Sequence, residues 1–195
     1  CGALGCSSTG KPPPRPVWTS PTFAGSIRSS SGNHFSPDNS SLALQVLSFT
    51  GEKGHYQTML LREGEAAFLS DGARPDWNPH SQEVAYLSKS EGPEKHWLTI
   101  VDTKTGASRD LKIPADLYGP PSWSPDGNSL AFGAHLDAGE ERVCLMIIDA
   151  RGGSVRTIPM DGVFYHLLYP PAWSADGKQV LLIDRGPLSD WCGIW

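Results

Sequence analysis

Pro120-Pro121-Ser122-Trp123-Ser124-Pro125-Asp126-Gly127-Asn128-Ser129-Leu130-Ala131-Phe132 decides how the whole chain is read. It describes a short strand ending on a tryptophan, a tight turn, and a second strand. Proline presets its own φ, aspartate bonds the backbone two residues on, and glycine accepts a corner with φ > 0, so Ser-Pro-Asp-Gly turns by mechanism. Apolar residues on both sides make the unit a hairpin, and a lone hairpin says little about a fold.

Its weight comes from recurrence. Pro171-Ala172-Trp173-Ser174-Ala175-Asp176-Gly177 leads into Val180 to Ile183, and Pro75-Asp76-Trp77-Asn78-Pro79-His80-Ser81 leads into Val84 to Tyr86. A more worn copy, Asn33-His34-Phe35-Ser36-Pro37-Asp38-Asn39, leads into Leu42 to Leu44. Phe35, Trp77, Trp123 and Trp173 stand in one phase, separated by 42, 46 and 50 residues. Such a period is expected where one repeat is a four-stranded propeller blade. The expected fold is therefore all-β, a β-propeller of four-stranded antiparallel blades with about four repeats visible.

Composition agrees. The 195 residues are 38% hydrophobic, with 21 glycines and 17 prolines punctuating short apolar runs, as in a β protein with many turns. The net charge of −5 is spread without a basic stripe, so no nucleic-acid partner is expected. No apolar run approaches the length needed to cross a bilayer.

Blades are expected near residues 33–69, 74–113, 120–158 and 169–195, within a domain spanning 17–195. In the second blade the strands after the hairpin fall at Val84 to Ser88, Trp97 to Asp102 and Ser108 to Leu111, and in the third at Leu130 to Ala134, Val143 to Asp149 and Ser154 to Ile158. Val17 to Arg28 reads as one or two strands, of the kind that joins the last blade and locks a ring. The fourth copy reaches Trp191-Cys192-Gly193-Ile194-Trp195 where a third strand would begin. Either the N-terminal strands complete a small four-bladed ring or the sequence is a piece of a longer protein. The second is preferred, because four blades is the low end for propellers and an edge left open in mid-blade invites aggregation.

The Trp-Ser-Pro-Asp-Gly hairpin, the Leu-Ala-Phe strand, and Met146-Ile147-Ile148-Asp149 before a Gly-Gly turn resemble the WD40-like repeat of TolB-type β-propellers. The resemblance covers about Asn33 to Ile183 and is worn in the first two copies, where Ser40 and Ser81 are read at the turn-glycine position. It implies that Phe35, Trp77, Trp123 and Trp173 are structural anchors packed between blades, and that Asp38, Asp126, Gly127, Asp176 and Gly177 are structural turn residues. Cys1, followed by a small residue and a Ser/Gly/Pro-rich stretch over residues 1–16, resembles a mature bacterial lipoprotein. That implies a flexible tether, acyl chains on Cys1 as lipid anchor, and a place on the periplasmic side of a bacterial membrane.

Chemistry is harder to find. No Gly-x-Ser-x-Gly nucleophile elbow is present, so the arrangement of the prolyl oligopeptidase family, a propeller with a hydrolase domain, has no support within these residues. His34, His55, His80, His96, His135 and His166 show no paired spacing, and no metal or cofactor is expected. Asp137, Glu140 and Glu141 read as solvated loop charge. No Cys-x-x-Cys pair occurs; Cys144 and Cys192 are expected as buried free thiols, with a Cys6 to Cys192 pairing left open.

The resulting expectation is a non-catalytic, lipid-anchored propeller that binds other protein subunits of a membrane-associated envelope complex through loops such as Leu136 to Glu141, Lys89 to Lys95 and Pro159 to Tyr165. Two alternatives stand beside it. One is the propeller domain of a larger hydrolase whose catalytic part lies elsewhere, and the other is a propeller that binds a small ligand or sugar.

Overall fold

The computed structural model describes residues 25–27, 35–50, 53–63, 65–89, 96–111, 113, 115–117, 119–135, 143–159, 169–185 and 190–194. These residues form strands and turns with no helix. The strands are β1 (Gly25–Ile27), β2 (Ser41–Thr50), β3 (Lys53–Arg62), β4 (Glu65–Trp77), β5 (Glu83–Lys89), β6 (His96–Asp102), β7 (Ser108–Leu111), β8 (Asp116–Leu117), β9 (Ser122–Trp123), β10 (Ser129–His135), β11 (Val143–Asp149), β12 (Val155–Pro159), β13 (Ala172–Trp173), β14 (Val180–Arg185) and β15 (Asp190–Ile194).

Every pairing is antiparallel and the strands group into blades. Blade one is β1, β2, β3 and the first half of β4; blade two is the second half of β4, then β5, β6 and β7. Blade three is β8 with β9, then β10, β11 and β12, and blade four holds β13, β14 and β15. The all-β architecture read from the repeats is thus the observed one, with each Trp ending the first strand of its blade.

The chain passes between the first two blades without a loop. Gln57 to Arg62 of β3 pair with Glu65 to Asp71, whereas Gly72 to Trp77 of the same β4 pair with β5. The change of partner needs a bend, and the register shifts between Ala73 and Asp76 where Arg74 takes φ 64°. Pro75 fits there because a bulge does not require its missing N–H. The Arg74 N–H donates to Gln45 Oε1 at 3.0 Å, which satisfies a donor the bulge would otherwise strand. A Cβ on Gly72 would lie 2.2 Å from the Leu87 carbonyl oxygen, so only glycine lets β4 approach β5 there.

In blades one and three the first strand of the sheet begins earlier than the repeat alone indicates. Residues 25–27 pair with β2 beside the Phe35 to Leu42 bridge, just as Asp116–Leu117 pair with β10 beside Ser122–Trp123. β1 therefore belongs to blade one and not to the last blade as the sequence reading had it. In blade two the register shifts between Ala73 and Asp76, and in blade three Gly119 to Pro121 stand between β8 and β9.

Side-chain alternation buries both faces of the inner strands. Val84 and Tyr86 of β5 pack towards Ala43 and Leu60 of blade one, while Ala85 and Leu87 pack towards Leu130 and Phe132 of blade three. Val180 and Leu182 of blade four close on Ala131, Val143 and Leu145. Each seam between blades is therefore its own apolar cluster.

Candidate functional site

The hairpin turns lie one per blade, and those of blades one, three and four are built from the recurring Ser-x-Asp. The hydroxyl of Ser36, Ser124 or Ser174 donates to Asp38, Asp126 or Asp176 at 2.6, 2.6 and 2.7 Å. Each serine oxygen also accepts the backbone N–H five residues on, at 2.9 Å in all three turns. Each aspartate accepts the N–H two residues on, from Ser40, Asn128 or Lys178. The serine hydroxyl bond, followed by the backbone N–H, holds all three carboxyls below the usual carboxylate range.

These aspartates are ionised turn-closing acceptors. The serine oxygens are committed to an aspartate and a backbone N–H, and an aspartate held below the usual carboxylate range is a poor base for activating them as nucleophiles. Gly127 and Gly177 take φ 69° and 68°. In blade one that corner falls on Asn39, at φ 57°, and not on Ser40 as read from sequence. Asparagine tolerates the left-handed region better than most residues, which is why the worn copy still turns. Ser81 is not left-handed; there Asn78 Oδ1 accepts the His80 N–H at 2.9 Å and replaces the Ser-Asp pair.

The anchors differ in burial. Trp77 and Trp123 are 1% and 5% exposed and Trp173 is half-buried. The Trp123 indole Nε1–H donates to the Asp76 carbonyl at 3.1 Å, and that of Trp173 to the Ser122 carbonyl at 3.1 Å. Each indole thus reaches the residue immediately before the preceding blade's tryptophan. Phe35 departs from the expected role: it is 61% exposed, for it has no N–H to donate and no preceding blade stands against it among the described residues.

Between the turns of blades two and three lies a polar cleft of about 660 Å³ lined by His80, Gln82, Glu83, Asp102, Arg109 and Asn128 among others. Arg109 spans it, its Nη1–H donating to Glu83 Oε1 at 2.6 Å and its Nε–H to the Ala150 carbonyl at 3.1 Å. Asn78 Nδ2–H donates to the Gly127 carbonyl at 3.0 Å, and His80 Nε2 lies 2.7 Å from the Pro125 carbonyl, so that nitrogen carries the proton. On the other side Gln82 Nε2–H donates to Asp38 Oδ2 at 3.0 Å. Asp102 is held below the usual carboxylate range by the N–H groups of Thr105 and Lys104. A second cleft of about 490 Å³ between blades three and four sets Ile147, Ile158 and Trp173 beside Arg156 and Lys178.

Sequence reading missed this inter-blade stitching. Its one signal was the aspartate before Trp77, where the third and fourth copies carry Ser122 and Ala172. Cys144 is a buried free thiol that donates to the Ala134 carbonyl at 3.2 Å, and burial raises its pKa. Among the described residues no three His, Cys, Asp or Glu side chains gather as a metal site. Cys1, Cys6, the side chain of Cys192, the 1–16 tether, the Asp137 to Glu141 group and most residues of the proposed contact loops lie outside the described residues.

No family model matches the chain. Over 112 residues it is 31% identical to a Bacillus subtilis (strain 168) protein named uncharacterized peptidase YuxL, covering 55% of this chain and 16% of that one. The fold is similar to TolB from Acinetobacter baumannii, with TM-score 0.60 and 20% identity over 82% of this chain and 39% of that one. It is also similar to the β-propeller domain of the Trilobed protease from Pyrococcus furiosus, with TM-score 0.57 and 12% identity over 80% of this chain and 51% of that one. These likenesses show the propeller fold. They also correct the expectation that the chain stands apart from enzymes: the sequence relative is named a peptidase and one structural neighbour is a protease's propeller. The chain spans a small part of the relative and about half or less of the two neighbours.

Proposed function

We propose that these blades are the propeller portion of a peptidase whose catalytic groups lie on polypeptide outside the 195 residues. The observation that carries this reading is the 31% identity over 112 residues to a protein named a peptidase. The geometry is compatible with it. The turn-face serines and aspartates are consumed in building hairpins, so the blades supply a rigid frame and the reacting groups come from elsewhere. In that role the propeller limits which peptides reach the catalytic groups.

Intact mass and active-site labelling of the native protein test the reading. A mass well above 21.0 kDa, with covalent labelling by a serine-directed fluorophosphonate and hydrolysis of peptide anilides, is the expected result. A native protein of 21.0 kDa that neither labels nor hydrolyses overturns it.

Lipid attachment at Cys1 and an envelope location are compatible with this role and rest on Cys1 with its Ser/Gly/Pro-rich stretch. Mass spectrometry of the N-terminal peptide after detergent extraction tests them. An acyl increment on Cys1 is expected, and an unmodified Cys1 or a longer N-terminus contradicts the anchor. Docking of further envelope subunits is part of the same proposal, and co-purification in mild detergent tests it.

A further inference from the structure

Blades two and three carry the same repeat, so their seams can be compared position for position. Asp76, Asn78, His80 and Glu83 stand one residue before Trp77 and one, three and six residues after it; Ser122, Ser124, Asp126 and Ser129 hold the same places around Trp123. All four blade-two side chains serve the seam to blade three. Asp76 accepts the Trp123 N–H, Asn78 donates to the Gly127 carbonyl and His80 to the Pro125 carbonyl, while Glu83 holds Arg109 against the Ala150 carbonyl. Among the described residues none of the four blade-three counterparts reaches blade four with its side chain. Ser124 and Asp126 are spent on each other inside their own turn, and Ser129 has no carboxylate with which to hold Arg156, which pairs with Ile147 as Arg109 does with Ile100. What crosses the later seam is the Trp173 indole bond to the Ser122 carbonyl and the apolar cluster of Ala131, Val143 and Leu145 with Val180 and Leu182.

Packing follows the bonding. A Cβ on Gly127 would stand 2.5 Å from Asn78 Oδ1, so the turns of blades two and three are pressed together. On its counterpart Gly177 a Cβ would meet only Pro125 Cδ, at 3.8 Å. Trp123 is buried, whereas Trp173 is half-buried and lines the second cleft. The seam between blades one and two is closed in another way, by β4 running through both and by Gln82 on Asp38.

We propose that the seam between blades three and four is a hinge: blades one to three move as one body, and blade four turns against them, widening and closing the second cleft. Hydrogen bonds are directional and fix the angle between two blades, whereas apolar contact is non-directional and lets the faces rock. The Trp173 bond to Ser122, at the first strands of the two blades, is the pivot. The ladder bonds of blades three and four lie within each blade, so the motion breaks none of them. The inference is independent of the peptidase reading, because it rests on which side chains cross each seam.

Ala85 and Ala131 are matched probes. Each stands eight residues after its tryptophan, each is 0% exposed, and each faces the following blade, Ala85 towards blade three and Ala131 towards blade four. Maleimide labelling of Ala85→Cys and Ala131→Cys in the native polypeptide, read peptide by peptide so that the native thiols are told apart, tests the hinge. The thiol of Ala131→Cys should label at least ~10-fold faster than that of Ala85→Cys, and with little dependence on urea below the unfolding transition, because a hinge opening exposes little new surface. The unmodified protein gives a second reading: the Trp173 indole proton should exchange at least ~10-fold faster than the Trp123 one, again with little dependence on low urea. Equal labelling of the two thiols, or Trp173 exchange with the full urea dependence of global unfolding, overturns the proposal.

Discussion

Trp123 and Asp76 are joined twice: the indole Nε1–H donates to the Asp76 carbonyl at 3.1 Å, and the Trp123 backbone N–H donates to the Asp76 carboxylate at 2.8 Å. Both residues are buried. Side chain and backbone of one blade thereby fix the first strand of its neighbour in height and in angle. Removing the carboxylate strands a buried N–H, and an unsatisfied buried donor costs roughly 1–3 kcal/mol. Asp76→Ala should destabilise by about that much in urea unfolding, and Trp123→Phe should do so by at least as much because packing is lost as well.

Gly72 and Gly106 make a contrasting pair. A Cβ at Gly72 meets the Leu87 carbonyl oxygen at 2.2 Å, whereas at Gly106 it meets nothing within 4 Å although φ is +73°. Gly106→Ala should therefore cost only the strain of a left-handed alanine, about 1 kcal/mol. Gly72→Ala must push β4 from β5 and should cost roughly 3 kcal/mol or more, since interiors packed this tightly do not relax freely. Thermal melts of the two variants rank them.

The hairpins and strand order were legible because their causes are local. Proline, aspartate and glycine act within four residues, and apolar alternation marks a buried strand wherever it lies. Phe35 is exposed for a non-local reason: an aromatic in the right phase is buried only when a blade stands against it, and none does among the described residues. The corner falls on Asn39, one residue before Ser40, and Asn-Ser-Ser carries no glycine to mark it. Stitching by Asn78, His80, Gln82 and Arg109 joins residues 41 to 49 positions apart in neighbouring blades, and no pattern within one repeat announces it.

Acid should loosen the turns in a defined direction. Asp38, Asp126 and Asp176, with Asp102, have folded pKa values below the ordinary carboxylate value, so the unfolded chain binds their protons more tightly. Their contribution is fully present above about pH 4 and is lost as pH falls through the folded values. Melting temperature should be flat in this respect from pH 7 to about 5 and fall steeply below about pH 4. Ser124→Ala, which removes the largest cause at Asp126, should shrink that fall.

Cys144 should be chemically silent in the folded protein. It is buried, bonded to the Ala134 carbonyl, and its thiol is pushed up by desolvation. A maleimide should modify it only on a timescale of unfolding, and its labelling in urea should track loss of the sheet signal.

Hydrogen exchange of the indole N–H protons tests the interlocked blades most directly, because the Trp123 and Trp173 protons each cross a seam between blades. The Trp123 proton should exchange only with global unfolding, with the Trp173 proton protected to a lesser degree in its half-buried place. Exchange of the Trp123 indole proton at the rate of a free indole, under conditions where the sheets are intact, would contradict the arrangement of blades described above.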